Sequence, residues 1–291
     1  MTLLANEDLA HALVGIPIDL LATLASTGTI LLTAVLVEKC AIHARRPSPA
    51  DAWFNVRYTV VVLALMAALR PAAFVLPLML TRALGAGLID FNRGVTGWCW
   101  AFIAVLVVTD LLEYLFHRAQ HEFSFLWKMH EFHHSANHFD VTLTYRHFWL
   151  EPLLKTTLLY PLIGIVFKVP AGVAMAVGVI FLVNHHFGHM NIRFSPRRFG
   201  LLISHPQYHR LHHSRHESHY NKNFCDLLPV WDLVFGTLLR PRHDEFVDVG
   251  LHSGDTPRTL TQALTWPWRH NLQALKTGHA SNAQEMPVGK E

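Results

Sequence analysis

Four clusters of histidine dominate the chemistry that this sequence can support. The chain holds 22 histidines in 291 residues, and 16 of them lie between His117 and His219. The clusters alternate between the patterns HxxxH and HxxHH, so each half of this region offers five imidazoles. The ten candidate metal ligands are His117, His121, His130, His133, His134, His185, His189, His209, His212 and His213.

The spacing within the clusters predicts metal binding. Residues at positions i, i+3 and i+4 share one face of a helix, so each cluster can point two or three imidazoles toward one place. Ten unligated imidazoles would repel one another when protonated and would be costly to bury when neutral. A structural zinc ion is satisfied by four ligands, so ten indicate two ions with open positions. Imidazole suits iron, zinc, copper and nickel, and the spacing alone leaves the metal open.

Two other functions compete with this interpretation. The run from His130 to His134 matches HExxH, the zinc-protease pattern in which the glutamate, here Glu131, is the general base. A protease leaves most of the other clustered histidines without a role. A metal transporter that passes ions between histidines is the second alternative, and it predicts ligands distributed across the membrane rather than on one side.

The elements that carry the histidines read as membrane helices. Hydrophobic residues make up 51% of the chain and charged residues 15%, below the roughly 25% of an average soluble domain. Apolar segments at 12–37, 58–80, 97–116, 149–167 and 171–183 are candidates to span a bilayer, although the last two could form a hairpin that does not fully cross. Lysine and arginine follow the first and third segments, which places those ends on the cytoplasmic side. A net charge of +3 without a basic stripe argues against nucleic-acid binding.

The sequence therefore predicts an all-α integral membrane protein with four to five transmembrane helices. A cytoplasmic helical cap holds the histidine-rich site for two metals. We expect transmembrane helices over residues 1–96, a catalytic domain over 97–240, and an interfacial segment with a polar tail over 241–291.

Several motifs resemble the fatty acid hydroxylase/sterol desaturase superfamily of membrane di-iron oxygenases. The alternating histidine boxes carry most of the resemblance. Further matches are the run from Asp110 to Arg118, Gly188-His-Met-Asn191, and Asn221-Lys-Asn-Phe224 followed by the segment from Trp231 to Thr237. The segment 141–146 is closer to the bacterial and alkylglycerol-monooxygenase-like branches. Together these motifs cover about residues 100–240.

The resemblance implies two iron ions, with zinc able to occupy the site in purified protein, and O₂ as cosubstrate. It implies hydroxylation or desaturation of a membrane lipid, and electrons from an external donor such as cytochrome b5 or a ferredoxin with an NAD(P)H reductase. A bacterial inner membrane or an endoplasmic-reticulum type of membrane suits such an enzyme. The oligomeric state and the lipid stay open.

Three carboxylates are candidate catalytic residues on this basis. Asp110 and Glu113 precede His117 by seven and four residues on the same helical face, and Asp232 lies in the closing motif. An acid near the end of a membrane helix costs insertion energy and indicates function. We expect all three to accept hydrogen bonds from the N–H groups of the ligand histidines. His147 is expected to lie beside the ligands, and His186 to point away from them.

Overall fold

The computed structural model describes residues 6–41, 48–73, 75–91, 94–194, 196–242 and 245–269. Within these ranges the secondary structure is helical, and the only β pairing is in two isolated bridges. Six helices have ten residues or more, and they carry the frame of the molecule. They are α1 Asn6–Cys40, α2 Pro49–Ala73, α3 Val75–Leu84, α4 Val95–Glu122, α5 Ser124–His134 and, after two short helices, α8 Ala171–Gly188.

The shorter helices connect this frame. Helix α6 covers Leu150–Leu154 and α7 covers Tyr160–Val166, and a π-helix at Lys155–Leu159 joins them. Helix α9 covers Pro206–His212, α10 covers Val230–Val234 and α11 covers Leu260–Leu264. A 3₁₀-helix lies at Val141–Tyr145.

Among the described residues, four helices are long and apolar enough to cross a membrane, in keeping with the predicted four to five. The segments are Leu20–Cys40, Pro49–Leu69, Val95–Glu122 and Ala171–Gly188. The second begins nine residues before the predicted start at residue 58. Helix α2 is described to Ala73, and residues 75–80 of the predicted segment lie in α3.

The contacts between helices define two ends of the molecule. At one end, which we call the histidine end, Glu38 near the end of α1 accepts hydrogen bonds from the backbone of Val141 and Asn191. At the opposite end, the loop between α3 and α4 pairs with the end of α7, where the backbone N–H of Ile89 donates to Val166 O at 2.8 Å. Helices α4 and α8 therefore both run from the opposite end toward the histidine end.

The segment 150–166 must then run the other way, because it joins the histidine end to the opposite end. It is not one regular helix: the π-helix interrupts it after Leu154. Counted in this way, the described chain passes between the two ends five times, in α1, α2, α4, the segment 150–166 and α8.

The last described segment belongs to the same core as the membrane helices. Trp266 and Ala263 pack with Tyr58 of α2 and Phe132 of α5 in one buried cluster. Thr259 caps α11 through a reciprocal pair of hydrogen bonds with Gln262. The polar tail predicted from residue 281 lies outside the described residues.

Candidate metal centre

The structure brings nine of the ten predicted ligands into two neighbouring groups. In each group, one side-chain nitrogen of every histidine lies within 4.8 Å of those of the others. The first histidine group contains His117, His121, His130, His134 and His212, and the second histidine group contains His133, His189, His209 and His213. The histidine end of the molecule thus has two places that could each hold a metal ion.

The two HxxHH motifs exchange their middle histidines. The motif on α5 sends His130 and His134 to the first group, but His133 to the second. The motif at α9 sends His209 and His213 to the second group, but His212 to the first. Because residues i and i+4 share a face and residue i+3 lies beside it, one short helix can serve two ions.

His185 is the tenth predicted ligand and lies next to the second group. It is the counterpart of His117, because it opens the HxxxH motif that ends at His189. Its ring stacks on that of His189 with centroids 5.0 Å apart, and its Nδ1 lies 3.7 Å from Asp226 Oδ1. Its Nε2 is buried without a hydrogen-bond partner. With His185 added, each group has five imidazoles.

Backbone carbonyl oxygens fix the protonation of several of these rings. The Nδ1 atoms of His117 and His212 lie 2.7 and 2.8 Å from the carbonyls of Phe224 and Lys222. A carbonyl oxygen only accepts, so each Nδ1 must donate, and Nε2 is left with its lone pair. His189 makes the same contact with His185 O at 2.8 Å. This tautomer is the one that a metal requires.

The Nε2 atoms face one another inside the groups. His117 and His130 approach to 3.0 Å through Nε2, His189 and His209 to 3.0 Å, and His209 and His213 to 3.2 Å. Ligand atoms about 2.0–2.1 Å from one ion stand about 2.9–3.4 Å apart in octahedral or tetrahedral geometry. The observed separations fit that range.

Further Nε2 atoms have no partner within the protein. Those of His121, His134 and His212 are buried and make no hydrogen bond among the described residues. A buried polar atom normally finds a partner, and several unpartnered Nε2 atoms in one group indicate a missing ion, whereas the single unpartnered Nε2 of His186 lies outside both groups. The residues therefore fit a metal on observations of the protein alone.

Burial keeps the imidazoles outside the membrane helices neutral. It lowers the pKa of His189 to about 3 and that of His212 to about 4. Burial also lowers the pKa values of His133, His209 and His213 well below their usual range, and the neighbouring histidines lower them further. Neutral imidazole is the form that binds metal.

Glu151 is the carboxylate that contacts a member of the first group. Its Oε2 lies 3.1 Å from Nδ1 of His130 and 3.3 Å from Nδ1 of His147. Sequence reasoning did not assign this role to Glu151, although a lone acid in the apolar run 148–154 was the available signal.

Asp232 acts one step further from the ligands than predicted. It accepts from the backbone N–H groups of Phe224 and Cys225 at 2.9 and 2.8 Å, from Thr237 Oγ1 at 2.6 Å, and from the Tyr208 hydroxyl. Gly236 has a positive φ of 73°, which lets the chain turn so that Thr237 reaches back to this carboxylate. Asp232 thus fixes the loop whose Phe224 carbonyl accepts the hydrogen bond from Nδ1 of His117.

Asp110 and Glu113 also have partners other than the ligand N–H groups expected of them. Asp110 accepts from the backbone of Leu227 and Leu228 at 3.1 and 3.0 Å and from Trp231 Nε1 at 2.9 Å. Glu113 binds Lys155 Nζ at 2.6 Å and the hydroxyl of Tyr160 at 2.7 Å. The prediction placed both acids on the correct helical face but could not foresee which chain segments would pack there.

The remaining residues singled out from the sequence lie outside both groups. Glu131, the possible protease base, forms an ion pair with Arg269 at 2.7 Å. His186 points to the carbonyl of Leu182 at 2.7 Å, so it turns away as predicted. His147 lies beside the second group, with its ring stacked on His133 at 4.0 Å between centroids.

The histidine-rich part of the chain is similar to a known protein family. The model of the family described as fatty acid hydroxylase matches residues 102–237. This range contains both histidine groups, Glu151 and the three predicted carboxylates. No solved structure matches the chain.

Several curated relatives are lipid hydroxylases or monooxygenases. The chain is 31% identical over 177 residues to ornithine lipid hydroxylase OlsE of Rhizobium tropici, which is 59% of this chain and 52% of the relative. It is 29% identical over 153 residues to alkylglycerol monooxygenase of Caenorhabditis elegans, or 50% of this chain and 28% of the relative. The human alkylglycerol monooxygenase is 28% identical over 139 residues, or 47% of this chain and 30% of the relative. The chain thus spans about a quarter to a half of the length of these relatives.

Proposed function

We propose that this chain is a fatty acid hydroxylase, a membrane di-iron oxygenase that hydroxylates a C–H bond of a lipid; the match of residues 102–237 to the family model supports this. The observation that carries this proposal is the pair of facing histidine groups at one end of the apolar helices. The proposed ligands are the nine grouped histidines and His185, five for each ion.

The protein's own residues prepare the centre in two ways. Backbone carbonyls and Glu151 accept hydrogen bonds from the Nδ1–H groups of the histidines. The Nε2 lone pairs are therefore directed toward the interior of each histidine group. Phe224 lies 5.1 Å from the ring of His121 and Phe139 lies 5.8 Å from that of His189, and these aromatic walls keep water from the imidazoles. When bound, the two irons supply the activation of O₂ and the oxidation of the C–H bond.

The position of the centre favours a substrate that stays in the bilayer. Helices α4 and α8 carry ligands at their ends and have apolar, exposed side chains along the rest of their lengths, such as Ile103 at 48% and Val179 at 52%. A lipid can therefore present its head region to the histidine end while its tail remains among the helices. Following the distribution of lysine and arginine, we propose that this end faces the cytoplasm, where a cytochrome b5 or ferredoxin supplies electrons.

Isotope labelling tests the proposal directly. Cells that express the chain are grown under ¹⁸O₂, and their lipids are compared by mass spectrometry with those of cells carrying an empty vector. We expect a lipid with one added ¹⁸O atom and about two irons for each purified chain. A lipid that loses two hydrogens without gaining label would indicate desaturation instead. Zinc transport into liposomes without O₂ consumption would contradict the proposal.

Two neighbouring histidines provide a matched pair of variants. His189→Ala removes a member of the second group, so we expect loss of labelled product and of bound iron. His186→Ala changes a buried histidine three residues away whose Nδ1 contacts only a backbone carbonyl. We expect it to keep both the iron and the activity. Equal loss in the two variants would show that the assay responds to the loss of any buried histidine rather than to the loss of a metal ligand.

A further inference from the structure

A buried cluster of charged and polar side chains lies beside the metal centre on its membrane side. Glu113 of α4 binds Lys155 Nζ through Oε2 at 2.6 Å and the hydroxyl of Tyr160 through Oε1 at 2.7 Å. We call these three residues the polar triad. Nothing in the ligation of the histidines requires them.

The helices fix how far the polar triad lies from the metal centre. Glu113 precedes His117 by one turn of α4. Lys155 follows Glu151 by one turn, since its N–H donates to the Glu151 carbonyl, and Glu151 in turn contacts His130. One turn is about 5.4 Å. Because α4 and the segment 150–166 run in opposite directions, both steps lead toward the opposite end of the molecule, into the apolar part.

Charged groups at this depth are costly and indicate a function. An ionisable side chain within the apolar zone of a membrane protein is retained where it serves a substrate, an ion or a proton. The π-helix at Lys155–Leu159 begins at the lysine itself, and single π turns occur frequently at functional sites. The π-helix and the charged side chains therefore both indicate a functional site at Lys155.

The polar triad is partly open rather than sealed. The Lys155 side chain is 24% exposed and Tyr160 is 43% exposed, whereas Glu113 is buried. Lys155 has three N–H donors and uses one of them on Glu113. Leu158 and Leu162, which are 52% and 46% exposed, flank the opening with apolar surface. A ligand for this place has an oxygen that accepts hydrogen bonds, attached to an apolar chain.

We propose that the polar triad binds the polar headgroup of the substrate lipid and thereby selects a C–H bond within a few bonds of that headgroup. The inference rests on the proposed function, because it concerns the substrate of the same centre. The shared chemistry is an uncharged or anionic oxygen that accepts a hydrogen bond from Lys155, because the single O–H of Tyr160 is donated to Glu113. A glycerol hydroxyl of an ether lipid and the carboxylate of an amino-acid lipid both supply it. A plain acyl chain oxidised far from its end does not.

The test combines lipid binding, kinetics and product analysis. Lys155→Met removes the donor, and the double variant Lys155→Met/Glu113→Gln avoids leaving an unpaired buried carboxylate in case the single variant does not fold. Losing a hydrogen bond to a charged group typically weakens binding about 10- to 100-fold. We expect Kd and KM for the lipid to rise by that factor, while iron content stays at the wild-type level. Lys168→Met is the control, because Lys168 makes a comparable pair with Asp90 at 2.8 Å, exposed and at the opposite end.

Three probes separate the possible headgroups. An alkylglycerol, an acylated ornithine and a free long-chain alkane are each offered to the iron-loaded protein in detergent. We expect one of the first two to bind with a Kd that depends on Lys155, and its product to carry the hydroxyl near the headgroup. Equal binding of the alkane, unchanged KM in both variants, or hydroxylation in the distal half of the chain would overturn the inference. Lipid binding that depends on Lys155 but gives no oxygenated product would instead contradict the proposed function, and only the binding of the headgroup by the polar triad would stand.

Discussion

Glu151 offers the sharpest test of how the protein holds its metal ligands. Its carboxylate is 1% exposed and accepts four hydrogen bonds, from Gln120 Nε2 at 2.6 Å, the backbone N–H of Phe148 at 3.0 Å, and Nδ1 of His130 and His147. Alanine at this position leaves four donors in the interior, and each unsatisfied one costs about 1–3 kcal/mol. Even if water reaches half of them, the folded state loses about 2–6 kcal/mol.

Glu151→Gln is therefore the more informative substitution, since it preserves the volume. Its amide oxygen can still accept from Phe148, but its NH₂ group then faces donors on Gln120, His130 and His147. His130 loses the acceptor that orients its ring and raises the basicity of its Nε2. Loss of such a partner typically weakens metal binding 10- to 100-fold. We expect that drop in iron affinity in a competition titration with a chelator, with a smaller fall in thermal stability than in Glu151→Ala.

Glu131→Gln is the matched control for this experiment. Glu131 adjoins His130 in the chain, but its carboxylate pairs with Arg269, and both side chains are 16% exposed. We expect wild-type iron affinity and activity in this variant, whereas a zinc protease of the HExxH type would lose its general base. If Glu151→Gln binds iron as tightly as Glu131→Gln, the carboxylate does not orient His130 and the reasoning fails.

Further predictions concern the supports of the centre and its acid sensitivity. Glu38→Ala removes the acceptor for the Val141 and Asn191 N–H groups at 2.8 and 3.1 Å, so we expect a lower melting temperature and faster iron loss to a chelator. Asp232→Asn turns a donor toward the backbone N–H groups that its carboxylate holds, and we expect at least about 10-fold weaker iron binding in the same titration. Burial lowers the pKa of His212 to about 4, whereas a free imidazole titrates near about 6.5. As the pH falls, the imidazole therefore takes up a proton more readily in the unfolded chain than in the folded one. We expect iron-free protein to keep its stability above about pH 6.5 and to lose it as the pH falls toward 4, as measured by thermal unfolding.

The helices and the grouping of the histidines could be predicted from the sequence because both are periodic signals. Apolar runs of about 20 residues and i, i+4 histidine pairs are local patterns, and α4 shows them joined: its apolar length continues without a break into His117 and His121. The interruption of segment 150–166 by a π-helix was not readable. The π-helix begins at Lys155, which pairs with Glu113 on α4, and such a contact between distant segments leaves no local pattern in the sequence.

The hydrogen-bond donors that pair with the carboxylates could not be predicted from the sequence for the same reason. Asp110 contacts Leu227 and Leu228, which are 117 and 118 residues away. Glu38 reaches Asn191 across 153 residues. Helical spacing shows which face an acid occupies, but tertiary packing decides which donors meet that face. Burial then makes the pairing obligatory, because a carboxylate without donors is costly in the interior.

Because each HxxHH motif sends its middle histidine to the other group, substitutions of neighbouring histidines should affect different ions of the proposed pair. His133 and His134 are adjacent on α5, yet they belong to different groups. His133→Ala should therefore weaken the second ion and His134→Ala the first, and each variant should retain about one iron per chain with a Mössbauer spectrum that differs from that of the other. Identical spectra would show that the neighbours serve one ion. Because each HxxHH motif contributes to both groups, neither half of the chain can complete a site alone. Helices α5 and α9 must therefore come together for either proposed ion, with α4 completing the first group and α8 the second.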